Sequence, residues 1–225
     1  MVFQVKICGV RSVADVEAVA SSARAIDAAI GLNFYPPSTR YLDPTSEDAR
    51  SLATTASQHG LKTVGVFVNE STSKVCEIAD QLMLDAVQFH GDETANEVAN
   101  AKEQLGNTLL IRAVKLPTND LTAQMISERC ALWKELSCHL LLDADAGAAH
   151  GGSGHTLNWA AVSQWAQTST EITWTLAGGL TPQNVGNAIK TSGTQSVDTA
   201  SGVEQPRGTK SADLIEQFFT STQWA

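Results

Sequence analysis

A thiol, a guanidinium, an imidazole and two carboxylates stand after short apolar runs in this chain: Cys8, Arg40, His90, Asp143 and Asp198. Two glycine-bearing stretches, Gly178-Gly179 and Ser201-Gly202, follow the last two runs. A thiolate at Cys8 could take a proton from carbon, because an ordinary thiol pKa of about 8.5 needs only a modest fall. A carboxyl at Asp143 could give a proton as a general acid if burial raised its pKa. Arg40 suits a carboxylate, and bare backbone N–H groups at the two glycine loops suit a phosphate. Each group also has a plainer role. A buried cysteine is a small hydrophobe, an arginine usually lies on the surface, and a histidine at a loop orders it. Asp143 could simply bond the loop that follows. Lys6 shares the strand face of Cys8, so an inward Lys6 needs a partner, for which Asp198 is the candidate.

The spacing of apolar residues shows what must hold these groups. Val5 to Cys8 reads as a first strand ended by Gly9. Ser12 with Asp15 then forms a capping box, with Val13, Val16 and Val19 or Ala20 as the helix stripe. Ala25–Gly31 is the second strand. A proline-rich loop from Asn33 to Pro44 carries Arg40, and Thr45 with Asp48 opens a helix closed by His59-Gly60. Thr63–Val68, Ala86–Phe89, Thr108–Val114, Leu140–Leu142, Trp174–Ala177 and Gln195–Val197 supply six more strands. Asn69 ends the third of the eight. Helices follow each, the seventh from Thr181 as N-cap with Pro182 first, the sixth from near Thr156, the last from about Ser211. Eight apolar strands alternating with eight helices predict an α/β fold, a single (β/α)8 barrel spanning residues 1–225. Its phosphate site belongs at the loops after strands 7 and 8. An open doubly wound sheet would place a GxGxxG after the first strand, and none follows Cys8.

Composition narrows the class. The 225 residues are 43% hydrophobic and 17% charged, enough for a sizeable core. The net charge of −9 argues against nucleic acid or an acidic membrane as partner. Cys8, Cys76, Cys130 and Cys138 show no CxxC pair, and no metal or cofactor motif appears. No apolar run reaches membrane length and no signal peptide is evident, so a reducing cytoplasm is the expectation. The partner expected is a small phosphorylated molecule, bound by a monomer or a homodimer.

Taken in order, Lys6-Ile7-Cys8-Gly9, Phe34-Tyr35-Pro36 with Ser38 and Arg40-Tyr41, Gly65-Val66-Phe67-Val68-Asn69 and Val87-Gln88-Phe89-His90-Gly91 form a series. It continues through Leu141-Leu142-Asp143, Gly151-Gly152-Ser153-Gly154, Leu176-Ala177-Gly178-Gly179-Leu180-Thr181-Pro182 and Ser201-Gly202-Val203-Glu204 with Gly208 and Lys210. This series resembles the phosphoribosylanthranilate isomerase family of tryptophan biosynthesis over nearly the whole chain. The resemblance implies an Amadori rearrangement without a cofactor or metal. Asp143 would be the general acid and Cys8 the general base. Arg40 would hold the anthranilate carboxylate, with His90 and Asp198 lining the pocket. Gly154, Gly178, Gly179, Ser201 and Gly202 would bind the phosphate. Three departures stand out: an extra Asp145 just past Asp143, a polar Asn33 where the family is usually apolar, and Val197-Asp198-Thr199-Ala200, which keeps the acid but changes its neighbours. Two other readings stay open. The related histidine-pathway phosphosugar isomerase uses two aspartates and would leave Cys8 idle. A non-catalytic barrel that binds a phosphometabolite would need neither acid nor base.

Overall fold

The computed structural model describes residues 3–144, 155–222 and 224. Its strands are β1 (Val5–Cys8), β2 (Ala28–Asn33), β3 (Lys62–Phe67), β4 (Ala86–Phe89), β5 (Leu109–Leu116), β6 (His139–Ala144), β7 (Trp174–Leu176) and β8 (Val197–Thr199). The helices between and after them are α1 (Val13–Ala23), α2 (Glu47–Gln58), α3 (Thr72–Gln81), α4 (Ala95–Leu105), α5 (Ala123–Glu135), α6 (Trp159–Gln167), α7 (Val185–Ser192) and α8 (Ala212–Ser221). Each strand pairs in parallel with the next, and β8 returns to β1, so the sheet closes into the expected barrel. β7 and β8 are joined at a single register pair, Leu176 with Val197.

Local chemistry sets most element ends. Ser12 and Asp15 form a reciprocal capping box at α1, as their spacing requires, and Thr94 with Glu97 does the same at α4. Five starts differ from the sequence-based expectation. β2 begins at Ala28, not Ala25, because Arg24 has φ 48° and the chain turns there, with Ile26 N–H bonded to Ala23 O. α2 is capped by Ser46, whose Oγ accepts from Ala49 N–H, because Thr45 is bound to the Asp43 carboxylate instead. α6 starts from Asn158 rather than near Thr156. α7 starts from Asn184 rather than Thr181. The Asn184 side chain accepts from Thr181 N–H at 2.8 Å and donates to Gly179 O at 2.9 Å, which holds Pro182–Asn184 as a turn. β8 starts two residues late, at Val197, because the Thr194 hydroxyl donates to Ser196 O and accepts from Ser196 N–H, which turns the chain just before it.

Two apolar layers result. The outer one lies between strands and helices and contains Val5, Ile7, Val16, Val19, Trp165 and Phe218. Val13, expected on the α1 stripe, stays partly in solvent. The inner one fills the barrel with mostly small side chains, among them Ala29, Val64, Ala86, Ala113 and Ala177. Alternation along each strand therefore points Lys6, Cys8, Gln88, Asp143 and Asp198 toward the barrel axis and its upper mouth. Trp165 anchors α6 by meeting Trp174 of β7 edge-on, 5.6 Å between ring centroids. Trp165 is fully buried, so Trp165→Ala should cost about 3–5 kcal/mol of stability. Urea unfolding followed by circular dichroism would measure it, and a loss below about 1 kcal/mol would contradict the packing described.

Candidate active site

One pocket opens at the C-terminal mouth of the barrel. It brings together Cys8, Arg40, His90, Asp143, Asp198, Gly178, Gly179 and Ser201. Every one of these was singled out from sequence. Gly202 sits just behind the pocket wall, while Gly154, like Asp145 and His150, lies outside the described residues. Asn69, expected at the end of the third strand, lies two residues past Phe67, where β3 stops, and is not among the residues lining the pocket. Its φ of 53° and its bonds to Asp92 N–H and Glu93 make it part of the loop scaffold.

The floor is charged. Lys6 is fully buried, and its Nζ donates to Asp198 Oδ1 at 2.7 Å. Burial alone would pull this ammonium down, but the charges of Asp198 and Cys8 outweigh it and hold it above its usual range. Burial pushes the Cys8 thiol above its ordinary value, and the adjacent Lys6 charge opposes that push only in part, so the fall expected from sequence is not found. Gly31 makes room for both. A Cβ there would lie 2.8 Å from Cys8 Sγ and 3.1 Å from Lys6 Cε.

Across the pocket, Asp143 Oδ2 lies 3.3 Å from His90 Nε2. The Gln88 amide nitrogen meets His90 Nδ1 at 2.8 Å, so with that amide as donor the ring hydrogen faces Asp143. Gln88 was missed from sequence; only its place two residues before His90 on the inner strand face marked it. Below the His90 loop, Arg112 bonds Glu93 Oε2 at 2.6 Å and the carbonyls of Phe89 and Gly91. Gly178 has φ 86°, and a Cβ on it would lie 2.7 Å from Ala144 N and 3.2 Å from Asp143 Oδ1. Only glycine lets the β7 loop lie against the end of β6 in this way.

The two glycine loops touch each other. Thr199 Oγ1 donates to Leu180 O at 2.7 Å, and a Cβ on Gly202 would lie 1.9 Å from that same oxygen. The N–H groups of Gly178, Gly179 and Ser201 make no backbone hydrogen bond among the described residues. Such a cluster of N–H donors suits an anion.

Arg40 crosses above Gly9, where a Cβ would lie 2.3 Å from Arg40 Cδ. Its Nε and Nη2 grip Glu204 at 2.6 and 2.8 Å. Glu204 also accepts from Lys210 Nζ and from Gly208 N–H, each at 3.0 Å. Burial pushes the Glu204 carboxyl up, but the Arg40 hydrogen bonds and the Lys210 charge prevail and hold it at about 2. Burial pulls the Lys210 ammonium down, against Glu204. Asn33, polar at the end of β2, accepts from Tyr35 N–H at 2.9 Å and turns the chain into the Arg40 loop.

The chain resembles known proteins throughout. A family model described as N-(5'phosphoribosyl)anthranilate (PRA) isomerase matches residues 5–221. The N-(5'-phosphoribosyl)anthranilate isomerase of Ruegeria sp. (strain TM1040) is 36% identical over 231 residues, covering 98% of this chain and 97% of the relative. The crystal structure of phosphoribosyl anthranilate isomerase from Thermotoga maritima superposes with a TM-score of 0.81 at 32% identity, covering 97% of this chain and 98% of that one. A phosphoribosyl anthranilate isomerase in complex with reduced 1-(o-carboxyphenylamino)-1-deoxyribulose 5-phosphate superposes with a TM-score of 0.77 at 32% identity, covering 97% of each chain.

The Glu204 cluster has a stability signature. Its carboxyl is depressed from 4.5 to about 2 in the folded protein, so its contribution is present above about pH 4.5 and is lost as pH falls toward 2. Glu204→Gln should therefore cost roughly 3 kcal/mol at neutral pH, and this cost should shrink through that acid window. Urea unfolding of both proteins from neutral to acid pH would show it, and a cost that did not change with pH would refute the assignment.

Proposed function

The chain belongs to the N-(5'-phosphoribosyl)anthranilate isomerase family, and from that membership we propose how its own residues carry the reaction. The enzyme converts N-(5'-phosphoribosyl)anthranilate to 1-(2-carboxyphenylamino)-1-deoxyribulose 5-phosphate in tryptophan biosynthesis. Residues 1–225 act as one isomerase domain, and its partner is this phosphorylated small molecule. The observation that carries the residue assignment is the meeting of Cys8 and Asp143 in one pocket, between Arg40 and the two glycine loops.

The loops after β7 and β8 take the phosphate through the N–H groups of Gly178, Gly179, Ser201 and Gly202, joined by Gly154. Arg40 takes the anthranilate carboxylate. The sugar is thereby stretched across the mouth, with its ring between Asp143 and Cys8. Asp143 gives a proton to the ring oxygen, the bond from that oxygen to C1 breaks, and a protonated Schiff base forms between C1 and the anthranilate nitrogen. His90, whose Nε2 lies 3.3 Å from Asp143 Oδ2, supports the carboxylate that remains. Cys8, as thiolate, then removes the proton from C2, and the electron pair flows into the iminium to give an enolamine. Ketonisation loses the hydroxyl proton at C2 and gains one at C1, so hydrogen has moved from C2 to C1 with no change in overall oxidation state. Lys6, pinned by Asp198, offsets part of the cost of a buried thiolate.

Cys8→Ala and Asp143→Asn should each lose at least roughly 100-fold in turnover while folding normally. Asp145→Asn should stay close to the parent protein; a crippled Asp145→Asn beside a mild Asp143→Asn would move the acid to Asp145. The activity itself is read by anthranilate fluorescence. Labile substrate is made in place from anthranilate and phosphoribosyl pyrophosphate by excess transferase, with indoleglycerol phosphate synthase pulling product forward. Indoleglycerol phosphate should form only when this protein is present. Formation at the spontaneous rate would overturn the reading.

A further inference from the structure

Arg40 is assigned to a carboxylate, yet one of its edges already holds one. Its Nε and Nη2 are committed side-on to Glu204, at 2.6 and 2.8 Å. A guanidinium has a second usable edge, formed by Nη1 and the remaining Nη2 hydrogen, and Nη1 has no partner among the described residues. That edge belongs to a side chain lining the pocket. Charge decides whether it attracts an anion. An isolated Arg40–Glu204 pair is neutral, and an incoming carboxylate would feel Glu204 almost as strongly as Arg40.

Lys210 changes that balance. Its Nζ donates to Glu204 Oε1 at 3.0 Å. Two cations on one carboxylate leave a single positive charge in the cluster. The side chains of Lys210, Glu204 and Arg40 are 2%, 1% and 10% exposed, so solvent screens this excess little. The nearby Lys6–Asp198 pair is neutral, and burial favours the neutral thiol at Cys8 until the proton transfer itself, so neither alters the sum that meets the incoming substrate. Lys210 Nζ also donates to Ala200 O at 2.9 Å, immediately before Ser201. One ammonium thus touches both the cluster behind Arg40 and the phosphate loop. The substrate carries one anionic group for each.

We propose that Lys210 is a positioning residue for substrate selection: by compensating Glu204 it frees the outer edge of Arg40 to bind the anthranilate carboxylate. The Ser201-Gly202-Val203-Glu204 run with Gly208 and Lys210 thereby acquires a purpose that the acid and base do not explain. The inference rests on the assignment of Arg40 to that carboxylate, and the test separates the two.

The test compares binding of two ligands by calorimetry. One is the reduced product analogue 1-(o-carboxyphenylamino)-1-deoxyribulose 5-phosphate, the other its phenylamino counterpart lacking the ring carboxylate. The parent protein should prefer the first. Lys210→Met should weaken the first on the order of tenfold, the scale of one charge-assisted hydrogen bond, and change the second far less. In steady state its KM should rise much more than its kcat falls. Lys210→Arg should restore the preference. If Lys210→Met is poorly folded by circular dichroism, Lys210→Gln keeps a donor for Ala200 O without the charge and should show the same collapse. Equal weakening of both ligands would reduce Lys210 to a loop tie and overturn the proposal. So would an unchanged preference. Arg40→Met separates the causes: if it abolishes the preference while Lys210→Met does not, the proposal alone fails. If Arg40→Met keeps the preference, the carboxylate assignment fails and the proposal falls with it.

Discussion

A fully buried ammonium must find an anion, and in this barrel the requirement is met across the seam where the ring closes. Lys6 on β1 stands in register with Asp198 on β8, the strand that completes the circle, and bonds it at 2.7 Å. The two residues are 192 positions apart, so the pair exists only when the whole chain has been wound. Removing either partner would leave an uncompensated charge in the floor. The pair also sets the electrostatic background for Cys8, which shares the strand face of Lys6 and lies directly above it.

Above that floor, position is set by absence of side chains. Gly31 leaves room for the thiol and the lysine stem, Gly9 for the stem of Arg40, and Gly178 for the edge of β6. The opposite wall is built differently. There Arg112 stacks 4.6 Å over the Trp133 ring and ties Glu93 to the carbonyls that carry His90. One half of the mouth is shaped by bare backbone and the other by a buried ionic network.

Much of this was legible in sequence because the signals are local. An apolar run followed by a glycine marks the end of β1 at Cys8, a wholly apolar triplet before Asp143 marks β6, and the Ser12–Asp15 spacing marks α1. What was not legible depends on distant atoms. Ala25 and Ile26 look like strand, but the turn set by Arg24 keeps them out of β2. Thr181 looks like the cap of α7, but the helix begins after Asn184, whose side chain turns back to Thr181 N–H and Gly179 O and holds the intervening residues as a turn. Glu204 was visible as part of a motif, but its partner Arg40 lies 164 residues away, and no spacing rule connects them.

The single register pair between β7 and β8 has a thermodynamic meaning. It is the thinnest junction in the ring, and it lies beneath the two loops assigned to the phosphate. Above it the loops are joined by Thr199 Oγ1 on Leu180 O and by the close approach of Gly202. An anion held by both loops spans this junction from the top. Ligand occupancy and ring closure are then linked functions. Each favours the other by the same free energy, so an anion bridging the two loops adds its binding free energy to closure of the ring at this junction.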